Sequence, residues 1–112
     1  MLSFPVPGAP GLPTVRVAEL DPAAPIPPGM VVIDVREQGE WDEGHAPGAL
    51  HLPLGELTTR VGELPADTQF LVMCHSGTRS ARATAWLNGA GYAAANLDGG
   101  MVDWRLAGLP VV

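Results

Sequence analysis

The chain has 112 residues, 46% of them hydrophobic, which suits one folded domain with a single core and excludes a disordered chain. Six arginines, no lysine and twelve acidic residues give a formal net charge of −6, so neither nucleic acid nor an anionic membrane surface is an expected partner. The single cysteine excludes an internal disulfide, and the Cys and His residues lack the spacing of a zinc site.

The first part of the chain is rich in proline. Residues 1–13 hold four prolines and are predicted to form an extended arm, ahead of a folded domain at residues 14–112. Neither a secretory signal nor an apolar run long enough to span a bilayer is recognisable, so we expect a cytoplasmic protein in a reducing compartment. Residues 15–17 favour a short strand, and the continuous β-branched run at 30–35 predicts a strand buried on both faces.

The middle of the chain carries weaker signals. Residues 37–43 predict one or two helical turns with an acidic, solvated face, and residues 49–52 predict a short strand. Apolar residues at helical spacing predict a helix that ends before Pro65. Its apolar positions are Leu54, Leu57, Val61 and Leu64.

The second half alternates strand and helix. Residues 69–73 predict a buried strand, residues 80–90 a helix followed by Gly91, residues 92–97 a last strand and residues 101–106 a short helix. The core-facing positions predicted for the first of these helices are Ala83, Trp86, Leu87 and Ala90. This alternation predicts an α/β domain, with a parallel sheet and helices on both of its faces.

Cys74 follows the predicted strand 69–73 and precedes the predicted helix 80–90. Functional clefts of α/β sheets lie at the carboxyl ends of the strands. A short loop before a helix turns backbone amides inward, and such a setting stabilises a thiolate. Arg79 adds a guanidinium that can bind an oxyanion through two hydrogen bonds. The loop therefore predicts a nucleophilic cysteine, although a lone cysteine can also be a small buried hydrophobic residue.

The sequence CHSGTRS at residues 74–80 resembles the active-site loop of single-domain rhodaneses, the thiosulfate sulfurtransferase superfamily. Two further stretches are similar to that family in order and spacing. They are IDVRE at 33–37 with EW at 40–41 and GHAPGA at 44–49, and LDGG at 97–100 with Trp104 and GLP at 108–110. The resemblance implies a five-stranded parallel sheet flanked by helices.

The resemblance also implies roles for particular residues. Cys74 would accept a sulfane sulfur from a small anionic donor such as thiosulfate and pass it to cyanide or a thiol, with no metal or organic cofactor. Asp34 and Arg36 would support neighbouring loops. The residues expected to bind the thiolate, the persulfide and the donor are His75, Ser76, Gly77, Thr78, Arg79 and Ser80.

The family resemblance leaves alternatives open. The loop lacks the basic pair that follows the cysteine in thiosulfate:cyanide enzymes, so the physiological donor is undecided. A persulfide carrier that serves a protein acceptor and a non-catalytic interaction module are the main rivals. A cysteine-dependent phosphatase or arsenate reductase is less expected, because such loops place five residues between cysteine and arginine and here only four intervene.

Overall fold

The strands of a computed structural model, which describes residues 12–112, form one five-stranded sheet in the order β1-β5-β4-β2-β3. Every neighbouring pair is parallel. The strands are β1 Thr14–Arg16, β2 Met30–Asp34, β3 Leu50–His51, β4 Gln69–Met73 and β5 Ala93–Asp98. The predicted α/β class and five-stranded parallel sheet are confirmed. The predicted arm, except Leu12 and Pro13, lies outside the described residues.

Three of the four helices connect strands and the fourth follows β5, and short 3-10 turns complete the connections. The helices are α1 Gln38–Asp42, α2 Leu57–Arg60, α3 Thr78–Gly89 and α4 Gly100–Leu106. The 3-10 turns are Val17–Glu19, Leu54–Glu56 and Val61–Glu63. In the part of the chain that is described, no helix has the length and apolar character needed to cross a membrane.

Both faces of the sheet are covered, as the continuous apolar strands predict. Leu71 and Met73 of β4 pack into a cluster that contains Trp104 of α4. Phe70 and Val72 point to the opposite face, into a cluster that contains Leu87 of α3. Successive side chains of a strand alternate between faces. The central strands β2, β4 and β5 therefore each supply both halves of the core.

The single helix predicted between residues 54 and 64 is wrong. The structure has a four-residue α2 between two 3-10 turns, and Leu57 is its buried residue. Gly55 and Gly62 lower helix propensity, as do the β-branched residues between them. The apolar spacing correctly predicts a buried side, but the backbone propensity is too weak for a continuous helix.

The predicted core face of α3 is also wrong in part. Its buried residues are Ser80, Ala83, Thr84 and Leu87, at the spacing i, i+3, i+4 and i+7. Trp86 is 38% exposed and Ala90 is exposed. The buried face includes two hydroxyl residues that an apolar pattern does not identify. Gly91 follows the helix with a φ of 95°, as expected of a residue that ends a helix.

Candidate active site at the carboxyl end of the sheet

Cys74 directly follows β4 and continues its alternation, so its side chain lies on the face covered by α3. The residue is only 1% exposed, yet its sulfur is not in a purely apolar setting. The Gly77 N–H donates to Sγ at 3.1 Å, and the Ser80 hydroxyl lies 3.3 Å from the same sulfur. The side chain is buried and its sulfur accepts hydrogen bonds.

These contacts decide the ionisation of the thiol. Burial by itself would raise the pKa of Cys74, because it penalises the charged form. Hydrogen bonds from the Ser80 hydroxyl and from the amides of Ser80, Gly77 and Ser76 oppose this and outweigh it. The pKa of Cys74 therefore lies below its ordinary value, which favours the nucleophilic thiolate.

The start of α4 explains why the loop amides face the sulfur. A peptide unit that turns its carbonyl toward one side turns its N–H toward the other. Three successive carbonyls of the cysteine loop point away from the sulfur and accept hydrogen bonds from the first turn of α4. The donor amides are Met101 to Cys74 at 2.9 Å, Val102 to His75 at 3.0 Å and Gly99 to Ser76 at 3.1 Å.

Two glycines make this close approach feasible. Gly77 has a φ of 126°, a conformation that side chains rarely adopt, and it directly precedes α3. Gly100 has a φ of 51°, and a Cβ there would lie 2.5 Å from the Cys74 carbonyl oxygen and 2.7 Å from that of His75. Only a residue without a side chain fits between α4 and the loop.

Arg79 does not present a free guanidinium. Its two terminal nitrogens donate to the Glu40 carboxylate at 2.6 and 2.8 Å, in a half-buried ion pair. The prediction that Glu40 belongs to a solvated face is therefore wrong. Hydrogen bonding to Arg79 is the main reason why the pKa of Glu40 falls to about 2, and the same bond raises the pKa of Arg79.

Asp34 and Arg36 form a buried ion pair at the end of β2, with 2.7 Å between the nearest nitrogen and oxygen. The remaining donors of Arg36 bind the carbonyls of Glu40 at 3.1 Å and Gly44 at 2.8 Å. The pair thus ties α1, which carries Glu40, to the carboxyl end of β2. Its donors and acceptors are used inside the protein and do not point toward the sulfur.

The structure separates the predicted loop residues by exposure. Gly77 and Ser80 are buried against the sulfur, whereas His75, Ser76 and Thr78 have exposed side chains. The backbone amide of Ser76 still contributes to the thiolate environment. A cavity of about 510 Å³ opens beside His75 and is lined also by Arg36, Glu40, Met101 and Val102.

Three residues close to the loop were not predicted as part of the site. Glu40 was missed because the ion pair spans 39 residues of sequence. Asn96 of β5 donates to the Gly77 carbonyl, and a lone polar residue in an alanine-rich strand was the available signal. The sequence pattern placed Gly100 only in the LDGG stretch of the family resemblance, although two adjacent glycines before a helix favour a close backbone contact. Within residues 12–112, no group of three or more His, Cys, Asp or Glu residues is placed to hold a metal ion.

Comparison with known proteins gives matches over most of the chain. The family model described as a Rhodanese-like domain matches residues 21–107. The crystal structure of a rhodanese-related protein from Thermoplasma volcanium superposes with a TM-score of 0.81 at 30% identity, over 89% of this chain and 97% of that one.

Curated relatives are similar over about two thirds to three quarters of the chain. A protein of Allochromatium vinosum named Sulfurtransferase is 38% identical over 84 residues, which is 74% of this chain and 78% of the relative. The Bacillus subtilis protein named "Putative sulfur carrier protein YrkF" is 39% identical over 74 residues, which is 65% of this chain.

Some of these relatives are much longer than this chain. The chain spans 40% of the length of YrkF and 37% of the HTH-type transcriptional regulator Rv0324 of Mycobacterium tuberculosis, to which it is 38% identical over 84 residues. This chain belongs to the rhodanese-like domain family.

Proposed function

We propose that this protein is a sulfurtransferase in which Cys74 accepts a sulfane sulfur and holds it as a persulfide. The observation that carries the proposal is the buried sulfur of Cys74, which accepts hydrogen bonds from the Gly77 amide and the Ser80 hydroxyl. Relatives named as a sulfurtransferase and as a sulfur carrier support a sulfur-transfer role. Catalysis by an activated cysteine through a covalent intermediate fits this environment.

The first half-reaction loads the sulfur. The Cys74 thiolate attacks the outer sulfur of thiosulfate, a new S–S bond forms, and the S–S bond of thiosulfate breaks. Sulfite leaves with the electron pair, so one negative charge remains on the terminal sulfur of the persulfide. We expect the amides and the hydroxyl that stabilise the thiolate to stabilise this second anion as well.

The second half-reaction unloads the sulfur. A nucleophile such as cyanide or a thiolate attacks the terminal sulfur, forms thiocyanate or a new persulfide, and returns the electron pair to Cys74. Each half-reaction begins and ends with one anionic sulfur on the enzyme, so the loop stabilises the same charge throughout. A reducing cytoplasm suits this cycle, because the lone thiol there stays free between turnovers.

The structure favours a small sulfur donor over a phosphate ester. The loop has four residues between Cys74 and Arg79, one fewer than a phosphate-binding loop of this type uses. The bidentate donors of Arg79, which would bind phosphate oxygens, are held by Glu40. A single additional sulfur atom needs less room and less positive charge than a phosphate dianion.

A sulfur carrier that serves a protein acceptor is the second candidate. The B. subtilis relative named as a sulfur carrier supports it. The exposed side chains of His75, Ser76 and Thr78 surround the buried sulfur and would be the first groups that a protein acceptor contacts. Rapid turnover with cyanide favours the free-standing enzyme, whereas stable loading with slow small-molecule turnover favours the carrier.

The decisive experiment is intact-mass analysis after incubation with thiosulfate. We expect the wild-type protein to gain the mass of one sulfur atom and to lose it again on addition of cyanide. Cys74→Ser is the matched control and gains nothing. A wild-type protein that stays unmodified with thiosulfate and with other sulfane-sulfur donors would falsify the proposal and favour a non-catalytic module.

A further inference from the structure

Asn96 is a buried polar residue that the proposed reaction does not use. It lies on β5 and is 5% exposed. Its Nδ2 donates to the Gly77 carbonyl at 3.2 Å, whereas its Oδ1 is the one buried side-chain polar atom among residues 12–112 without a hydrogen-bond partner. Burying an unpaired polar atom costs free energy, so an apolar residue would be favoured here unless the amide donor has a role.

Three hydrogen-bond donors approach the Gly77 carbonyl oxygen, more than it can accept with good geometry. The Ala81 amide approaches at 3.0 Å as the first hydrogen bond of α3, Asn96 Nδ2 at 3.2 Å and the Ser80 hydroxyl at 3.1 Å. A carbonyl oxygen has two lone pairs and accepts two good hydrogen bonds. With Ala81 and Asn96 in place, no lone pair is left for Ser80.

The Ser80 hydroxyl meets the opposite situation, because it has one proton and two acceptors. The Gly77 oxygen lies 3.1 Å away and the Cys74 sulfur 3.3 Å away. Only one of them can receive the proton at a time. Whatever saturates the Gly77 oxygen therefore turns the Ser80 proton toward the sulfur.

We propose that Asn96 is a positioning residue: by occupying the Gly77 carbonyl, it directs the Ser80 proton to Cys74 and stabilises the thiolate. The inference rests on the proposed function in that the thiolate is the reacting form. Asn96 itself does not reach the sulfur and acts through Ser80. Its unpaired oxygen is the cost of keeping a donor at this place in an otherwise apolar strand.

The charged groups near the sulfur are few. Arg79 is electrostatically coupled to Cys74, and Glu40 balances it. His75 follows Cys74 with its side chain exposed, and the Asp98 carboxylate lies beside Gly77 at the end of β5. Substitutions at residue 96 or residue 80 leave all these charged groups in place. A change in the ionisation of Cys74 in such variants therefore reports on the hydrogen bonds of Asn96 and Ser80.

The test is the pKa of Cys74, measured from the pH dependence of its alkylation rate by iodoacetamide. We expect Asn96→Leu, which matches asparagine in size and lacks a donor, to raise that pKa by about half a unit to one unit. Below the pKa, alkylation is then about three to ten times slower than in the wild type. Asn96→Ala, which cannot crowd the strand, repeats the measurement if the leucine variant folds poorly.

A double-mutant cycle shows whether Asn96 acts through Ser80. Ser80→Ala alone raises the pKa, and adding Asn96→Leu to it produces no further shift. Asn88→Leu is the matched control, because Asn88 also bonds to the backbone of β5, at Ala94, but away from the sulfur. It destabilises the fold without changing the pKa of Cys74.

Two results overturn the inference. One is an unchanged pKa in both Asn96 variants, and the other is a shift of equal size with and without Ser80. Alkylation needs no sulfur donor, so the outcome is independent of persulfide formation. If the pKa shifts but the protein never gains sulfur, this inference stands and the proposed function fails. If the protein gains sulfur but the pKa does not shift, the proposed function stands and this inference fails.

Discussion

Arg79 and Glu40 set the charge at the edge of the proposed active site. The guanidinium nearest to Cys74 along the loop is bound at both terminal nitrogens by a carboxylate from α1. Its charge still acts on the sulfur, but its hydrogen bonds are not available to a donor anion. This pair limits how well the protein would bind thiosulfate, because the loop has no arginine or lysine other than Arg79.

Glu40→Gln tests this limit directly. We expect the variant to release Arg79 and to lower the KM for thiosulfate by about threefold to tenfold, the range of one ordinary hydrogen bond in a partly exposed site. Steady-state kinetics with cyanide as the acceptor measures the change, and Glu43→Gln, a nearby exposed acid, is the control. An unchanged KM would show that Arg79 does not contact the donor even when it is free.

The same ion pair predicts acid-sensitive stability. In the folded protein the pKa of Glu40 is about 2, against an ordinary value of 4.5. The stabilisation that its ionised form gives the fold is therefore complete above pH 4.5 and is lost as the pH falls toward 2. We expect the free energy of unfolding to fall less steeply between about pH 5 and pH 2 in Glu40→Gln than in the wild type. The difference is about 1 kcal/mol or less, because the pair is half-exposed. Urea titrations across this range measure it, and parallel curves would contradict the assignment.

At the scale of elements, the first turn of α4 is what orients the cysteine loop. Its backbone amides donate hydrogen bonds to three loop carbonyls. The loop N–H groups therefore face the sulfur. The loop geometry therefore depends on a segment that begins at Gly99, 25 residues after Cys74 in the chain. Helix α3 contributes Ser80 from its first turn.

Gly100→Ala tests the contact between α4 and the loop. A Cβ there meets two loop carbonyls, so we expect a loss of about 2–4 kcal/mol of stability and a higher pKa of Cys74. Gly108→Ala is the matched control, because Gly108 also has a positive φ, 71°, but open space around it. It should lose only about 1 kcal/mol and keep the thiol unchanged. Equal effects on the thiol in both variants would contradict this role of α4.

At the scale of the whole molecule, one sheet joins two cores. The cluster that contains Cys74 and Leu87 and the cluster that contains Leu71 and Trp104 share the same strands. Loss of packing on one face must therefore loosen the strands that hold the other. The cysteine loop, which touches both α3 and α4, depends on both faces.

We accordingly expect Leu71→Ala and Leu87→Ala, on opposite faces, each to cost about 2–5 kcal/mol and to leave a single unfolding transition. Urea unfolding followed by circular dichroism and by tryptophan fluorescence measures this. The two probes should give the same midpoint in each variant. Separate midpoints would show that the faces unfold independently.

Local patterns were sufficient for most of the fold. Continuous apolar strands, their alternation with helices and the position of Cys74 after a strand predicted the parallel sheet and placed the loop at its carboxyl end. These features depend on neighbouring residues in the chain. The exceptions, α2 and the face of α3, occurred where weak helix formers or buried hydroxyl residues contradict an apolar pattern.

The sequence by itself determined the fold class, the family resemblance and the one cysteine available for chemistry. Only the tertiary structure decided that Arg79 is bound by Glu40, that α4 holds the loop carbonyls and that Asn96 meets Gly77. These contacts join residues far apart in the chain, and their hydrogen bonds depend on atomic distances that no local spacing encodes. The sequence alone identifies the proposed nucleophile, whereas its ionisation depends on the folded chain.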